Sequence, residues 1–309
     1  MSRIHEALKR AEQERAMSQP AQLETVSTVI EAPPEAASVI ANATSMAAAT
    51  APAVGSSAEL LMTRSRETHW SPDTRTMLFL ANDDNAPGSE EFRTLRSRLY
   101  HAREQKPLTK LLVTSALPKE GKSFTAANLA QVIVRQSGKR ALLIDTDLRS
   151  PQLHLLLRAE REPGVSEYLS SEADEFSIIQ RGPMENLFFI PAGLGSRNPA
   201  ELVANGRLKL LMERLEPLFD WIIIDSPPAA LVSDAGLLAS NCDAVLLVVR
   251  ANVTPVDAAR RAAQEFPADK LLGVVLNGIA PDLSPYSRYY YSAYGQNGGN
   301  GSGPREARD

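Results

Sequence analysis

Gly121, Lys122 and Ser123 close the segment ALPKEGKS, which follows the apolar run LLVTS and leads into TAANLAQVIV. From Ala116 to Ser123 the segment fits the phosphate loop G-x-x-x-x-G-K-[ST], with Ala116 in place of the first glycine. Gly121 would let the backbone approach phosphates, and the helix that follows offers free N–H groups and the positive end of its dipole. Lys122 is placed for the β- and γ-phosphates and the Ser123 hydroxyl for Mg²⁺. Pro118, Lys119, Glu120 and Phe124 complete the stretch expected to line a nucleotide. Two carboxylates, Asp145 and Asp147, end the run ALLIDTD, and a third, Asp225, ends WIIID. On an extended chain the i, i+2 spacing puts Asp145 and Asp147 on one face. Like charges so close are costly unless a cation or a proton lies between them. The bland alternative is an ordinary strand-end turn with solvated aspartates.

Five of the seven tyrosines, Tyr286, Tyr289, Tyr290, Tyr291 and Tyr294, crowd the late segment SPYSRYYYSAYG. The QNGGNGSGPREARD that follows has no apolar periodicity and cannot bury a core. Alone, such a tail reads as a solvated segment or as a sticker for a partner. Beside a phosphate loop, a mobile row of hydroxyl acceptors suggests a kinase that modifies its own tail.

These residues need a scaffold. The apolar runs LLVTS, ALLID, LFFIP, WIIID, AVLLVV and LLGVVLN are mostly continuous rather than alternating. Continuous runs imply strands buried on both faces, as in parallel sheets. Helical stretches such as AANLAQVIVRQ and RLKLLMERL separate them, which predicts an α/β fold with a doubly wound, mostly parallel sheet. Residues 76–281 are read as this domain, and 282–309 as a flexible tyrosine-rich tail. Residues 1–16 read as a short helix with one narrow stripe (Ile4, Ala7, Leu8, Ala11) and Ser2 as a possible cap. So narrow a stripe is marginal in water, so the segment either frays or docks on a partner or on the globular body. Residues 17–75 are rich in Ala, Pro, Ser and Thr and read as a disordered linker.

Composition excludes several classes. The net charge of −4, without a long basic run, makes nucleic acid or an anionic membrane a poor default partner. The single Cys242 cannot form an internal disulfide, which fits a reducing cytoplasm. The charged N-terminus lacks the apolar stretch of a signal peptide. No apolar run approaches the roughly 20 residues that cross a bilayer. Any membrane attachment is expected to come through another protein.

From about Gly88 to its end the chain resembles the bacterial protein-tyrosine kinases. VTSALPKEGKS, LLIDTDLR, IIIDSPP and the tyrosine-rich tail carry the resemblance, and NPAELV and GVVLNGI are similar to family segments. MSRIHEALKRAEQER looks like the opening of the free-standing cytoplasmic kinases that accompany exopolysaccharide export systems. The resemblance implies a P-loop NTPase fold, ATP and Mg²⁺ as cofactors, and phosphoryl transfer to tyrosine. It makes Lys122, Asp145, Asp147 and Asp225 the catalytic set, with Asp145 as base for the incoming hydroxyl. Ser123, Asp147 and Asp225 become the metal-side residues. Arg149 takes a phosphate-proximal or a structural role. Asn277 matches a position that contacts adenine in related ATPases; it could equally be a left-handed cap at a strand end with Gly278. Glu90, Arg93 and Arg96 meet the family's oligomerisation motif E-x-x-R-x-x-R, on a helix that Ser89 could cap. Without the resemblance, Glu90 and Arg93 read as an exposed i, i+3 pair worth a few tenths of a kcal/mol. The implied partners are further copies of the chain, a transmembrane polysaccharide chain-length determinant or co-polymerase, and a cognate tyrosine phosphatase.

Geometry favours transfer between copies. About ten extended residues span roughly 35 Å, against a radius of gyration near 16 Å for a domain of this size. The tail can therefore reach a neighbour's site, whereas folding back into its own needs a tight reversal near Asn277. Full modification would add roughly −1.5 to −2 charges per tyrosine, so phosphorylation is expected to loosen the oligomer. Two rivals remain: a spatial-organiser ATPase of the same fold, and a non-catalytic ATP-binding adaptor of an exporter. The first carries a signature lysine just after the first loop position, where this chain has Leu117, and it lacks a tyrosine tail. The second does not need the intact Lys122, Asp145, Asp147 and Asp225.

Overall fold

The computed structural model describes residues 54–279, apart from 75, 80–86, 196–197 and 231–233. The expected N-terminal helix, the first part of the linker and the whole tyrosine tail lie outside the described residues. Eight strands form one sheet: β1 (Arg66–Glu67), β2 (Lys110–Ser115), β3 (Ala141–Asp145), β4 (Gln180–Arg181), β5 (Leu187–Ile190), β6 (Trp221–Asp225), β7 (Ala244–Arg250) and β8 (Leu271–Asn277). Their order is β1-β4-β5-β3-β6-β2-β7-β8. The six strands from β5 to β8 run parallel, while β4 runs antiparallel to β5 and β1 runs parallel to β4. The expected doubly wound, mostly parallel sheet is present, and each of the six apolar runs forms a strand.

The burial explains why. Leu112, Leu142, Ile144, Ile222, Ile224, Val245 and Leu247 enter the core on one face of the sheet. Leu111, Val113, Leu143, Ile223, Leu246 and Val248 enter the core on the other. A strand covered on both sides has no place for a polar alternate, so its sequence reads as a continuous apolar run. Long helices α2 (Ser89–Gln105) and α3 (Lys122–Val134) cover the second face. Gly88, in the left-handed region at φ +94°, precedes α2, so the cap expected of Ser89 is one residue too late; Ser89 is the first helical residue and is buried.

The expected linker ends earlier than the composition implied. Val54–Arg64 forms helix α1, and β1 follows it at once. Leu61 is fully buried in one core and Trp70 in the other, where Trp70 meets Phe189 edge-on at 6.0 Å. Residues 54–74 therefore belong to the folded body. Their Ala/Ser-rich start continues the composition of the preceding segment, and a two-residue strand leaves no periodicity to read. Among the described residues no helix is long and apolar enough to cross a membrane.

The chain reverses its winding at β2. From β2 it passes to β3 on one side, and from β6, beside β2, to β7 on the other. Such a switch leaves a crevice at the carboxyl ends of the central strands, the place where open α/β sheets bind ligands. The loop after β2 sits there.

Candidate active site

The loop runs from Ala116, buried where the motif has glycine, to the start of α3 at Lys122. Lys119 and Gly121 both adopt positive φ, 65° and 94°. At Gly121 an added Cβ would lie 2.0 Å from Asn277 Nδ2, so that side chain would have to shift, and the left-handed φ itself favours glycine. The Thr125 N–H donates to the Gly121 carbonyl at 2.8 Å, which starts α3 directly at the loop. Pro118 and Lys119 are exposed, while Glu120 is buried.

Lys122 turns inward. Its Nζ lies 2.9 Å from Asp147 Oδ2 and 3.5 Å from Asp225 Oδ2, with the lysine side chain only 10% exposed. Burial alone would lower the ammonium's pKa, but the charges of Asp225 and Asp147 outweigh it and hold Lys122 firmly protonated. The Ser123 hydroxyl donates to Asp225 Oδ2 at 2.5 Å. Register places Asp145 directly opposite Asp225 on neighbouring strands. Burial first, and the Asp225 charge second, push the Asp145 carboxyl up to about 8. Burial likewise raises Asp225, against the opposing pull of Lys122 and the Ser123 hydroxyl.

One atom of this cluster has no partner: Asp225 Oδ1 is buried without a hydrogen bond. An unpaired buried carboxylate oxygen beside a serine hydroxyl and a second carboxylate suits a hard cation. Among the described residues no three His, Cys, Asp or Glu side chains form a metal cluster. A cation here would therefore draw its ligands from a hydroxyl, carboxylate, water and phosphate, as Mg²⁺ does. The residues fit the group.

The other expected residues fall in different places. Asp145 anchors backbone: its Oδ1 accepts from the Asp147 N–H at 3.1 Å, and its Oδ2 from those of Gln152 and Leu153 at 3.2 and 3.1 Å. It thus caps the short helix α4 (Leu153–Leu157). Arg149, expected among the nucleotide contacts or in a structural role, forks onto Asp234, with Nε–Oδ2 2.8 Å and the second nitrogen–Oδ1 3.2 Å. Phe124, expected to line the nucleotide, stacks edge-on against Phe92 at 5.9 Å and packs on the core. Asn277 donates from Nδ2 to the Glu120 carbonyl at 2.8 Å. Glu90 and Arg93 pair on α2, while Arg96 donates to the Val132 carbonyl at 2.8 Å near the end of α3. Sequence reasoning missed Asp234, the partner of Arg149, and Thr254, which meets Glu120. Neither has a local signal, because each partner lies far away in the chain.

Known proteins similar to this chain share its domain and fold. The AAA domain family matches residues 120–260. Tyrosine-protein kinase YwqD of Bacillus subtilis is 35% identical over 205 residues, covering 66% of this chain and 85% of that one. Putative tyrosine-protein kinase EpsB of Ralstonia nicotianae is 34% identical over 217 residues, but the chain spans only 29% of that protein's length. The solved kinase domain of Escherichia coli tyrosine kinase ETK superposes with a TM-score of 0.59 at 33% identity, covering 65% of this chain and 80% of that one. A tyrosine-protein kinase matched at 35% identity over 85% of its length, together with the loop and its carboxylates, establishes the kinship: this chain belongs to the bacterial tyrosine-kinase family.

Proposed function

We propose that this chain is an ATP- and Mg²⁺-dependent protein-tyrosine autokinase that phosphorylates its own C-terminal tyrosines in trans, within a homo-oligomer that regulates exopolysaccharide polymerisation or export. The observation that carries the reading is Lys122 held between Asp147 and Asp225 at the mouth of a phosphate loop, beside the unpaired Asp225 Oδ1. Phosphoryl transfer needs alignment and charge neutralisation more than covalent help, and this cluster supplies both. Bound Mg²⁺ would neutralise phosphate charge, held by Ser123 and Asp225 with Asp147 beside them. Lys122 would supply a fixed positive charge to the β- and γ-phosphates. The amides at the start of α3 offer donors to the same oxygens. Asp145 is the proposed proton acceptor, across the strand pair from Asp225; burial and the Asp225 charge push its carboxyl up to about 8, so at neutral pH the role needs a cation beside Asp225 to keep it ionised. Asn277 is the proposed adenine contact, from its place against Gly121.

The acceptors are Tyr286, Tyr289, Tyr290, Tyr291 and Tyr294. Strand β8 ends at Asn277, on the loop's side of the sheet, so the last described residues stand at the proposed active-site edge. Reach favours a neighbour's site. Glu90 and Arg93 are the proposed subunit contact; Arg96 is engaged by Val132 and contributes by holding α2 on α3. The proposed partners are other copies, a transmembrane chain-length determinant or co-polymerase that recruits the kinase to the inner membrane face, and a phosphatase; nucleic acid is not among them.

Incubation with ATP and Mg²⁺, followed by mass spectrometry of the tail, tests the activity. Phosphotyrosine supports it; its absence with and without a partner segment rejects it in favour of an adaptor. Mixing a Lys122→Met subunit with a tail-deleted subunit tests transfer in trans. Phosphotyrosine on the Lys122→Met tail is the expected result, and an unmodified tail rejects it.

A further inference from the structure

A carboxylate one residue before the phosphate-facing glycine is the wrong charge for a phosphate site. Glu120 is nonetheless there, and it is buried. Its two oxygens go in opposite directions. Oε2 accepts from the Leu117 N–H at 2.8 Å, which closes the loop on itself. Oε1 accepts from the hydroxyl of Thr254, a residue between β7 and the helix α9 (Val256–Gln264). The direction of that second bond is fixed. A hydroxyl has one hydrogen to give, and a carboxylate only accepts. Thr254 Oγ1 meanwhile accepts from the Arg250 N–H at 2.8 Å, so its own hydrogen is free for Glu120. The carbonyl of Glu120 is gripped as well, by Asn277 at the end of β8. Residue 120 is thus held from the segment after β7 and from the end of β8, between Lys119 and Gly121 in left-handed backbone. That conformation is disfavoured for a lysine and persists only where its surroundings impose it.

We propose that Thr254 is a positioning residue of the nucleotide loop, acting through Glu120. This rests on the reading of the loop as an ATP site. The clamp turns the carboxylate away from the phosphates and holds the loop in its binding shape before ligand arrives. A loop shaped in advance loses less freedom on binding, and the saving appears as affinity. Thr254 touches neither nucleotide nor substrate in this scheme.

The full chain carries the test, with two readouts. One is the affinity for ATP·Mg²⁺ by calorimetry; the other is hydrogen exchange of the Leu117 amide without nucleotide. Thr254→Val keeps the shape and removes the hydroxyl. It is expected to weaken ATP binding about tenfold, the scale of one hydrogen bond to a charged group, and to speed Leu117 exchange. Thr254→Ser should restore both. Glu120→Ala should reproduce the loss, and adding Thr254→Val to it should cost nothing more. Wild-type affinity and exchange in Thr254→Val, or additive losses in the double variant, overturn the proposal. If Thr254→Val does not fold, Leu117 exchange in Glu120→Ala decides: unchanged protection overturns the clamp. If the wild type binds no ATP, the nucleotide reading fails, while the exchange arm still judges the clamp.

Discussion

The molecule brings opposite charges together in two contrasting settings. At the sheet's carboxyl edge, Lys122 meets Asp147 and Asp225, with side chains 10%, 3% and 0% exposed. On α2, Arg93 meets Glu90, with side chains 25% and 61% exposed. Both pairs answer to motifs in the sequence, but they differ in what they can do. Buried charges have lost their water and are held by one another; removing one leaves the rest uncompensated. An exposed pair gains little, because solvent screens it and each side chain gives up freedom. The first arrangement is poised for chemistry on a polyanion. The second is the proposed contact between copies.

Lys122→Met should break the comparison hardest, if it can be broken. It should lower phosphotyrosine formation by about 10²–10³-fold, the scale for losing one fixed charge at a transition state. It should also cost about 3–5 kcal/mol in denaturant unfolding, as for any half-removed buried pair. A loss below about 1 kcal/mol would mean that the buried carboxylates simply take up protons, and that the two regions differ less than their burial implies.

Next comes Gly121→Ala. The new Cβ meets Asn277 Nδ2 at 2.0 Å and sits at φ +94°. Backbone strain of about 1–3 kcal/mol should weaken ATP binding by roughly 5- to 150-fold. Adding Asn277→Ala should remove the clash but not the strain, and so recover only part of the affinity.

Glu167 offers an intermediate case. It is half-buried and accepts from the N–H groups of Leu194 and Gly164 and from the Ser166 hydroxyl. Burial opposes its ionisation, but these donors prevail and hold the carboxyl below its ordinary 4.5. A depressed pKa stabilises the fold above the ordinary value, and that stability is lost as pH falls through the native value. Glu167→Gln should therefore cost about 1–2 kcal/mol at neutral pH and progressively less as pH falls below 4.5. Unfolding curves across that range check it.

The smallest effect belongs to the exposed pair. Glu90→Ala should change the stability of the isolated subunit by less than about 0.5 kcal/mol. Sedimentation should nonetheless show a lighter assembly. An unchanged mass would leave the pair as a solvated helix face and overturn the proposed contact.

The sequence by itself determined the fold class, the six apolar strands, the loop with its Gly121-Lys122-Ser123 ending, and the three strand-end aspartates. All are local signals: a continuous apolar run marks a doubly covered strand, and a loop between strand and helix needs its glycine and lysine at fixed spacing. The sequence also allowed two roles for Arg149 and offered Phe124 as a nucleotide contact. Only the tertiary structure sent Arg149 to Asp234, turned Phe124 onto Phe92 and gave both oxygens of Asp145 to the backbone. It also drew Leu61 and Trp70 out of a segment that reads as linker and into the core. Thr254 is the clearest case, because its partner Glu120 lies 134 residues away. A side chain's own neighbours set its helix or strand period. Its hydrogen-bond partner is chosen by strand order and register, which bring distant residues to one edge of the sheet.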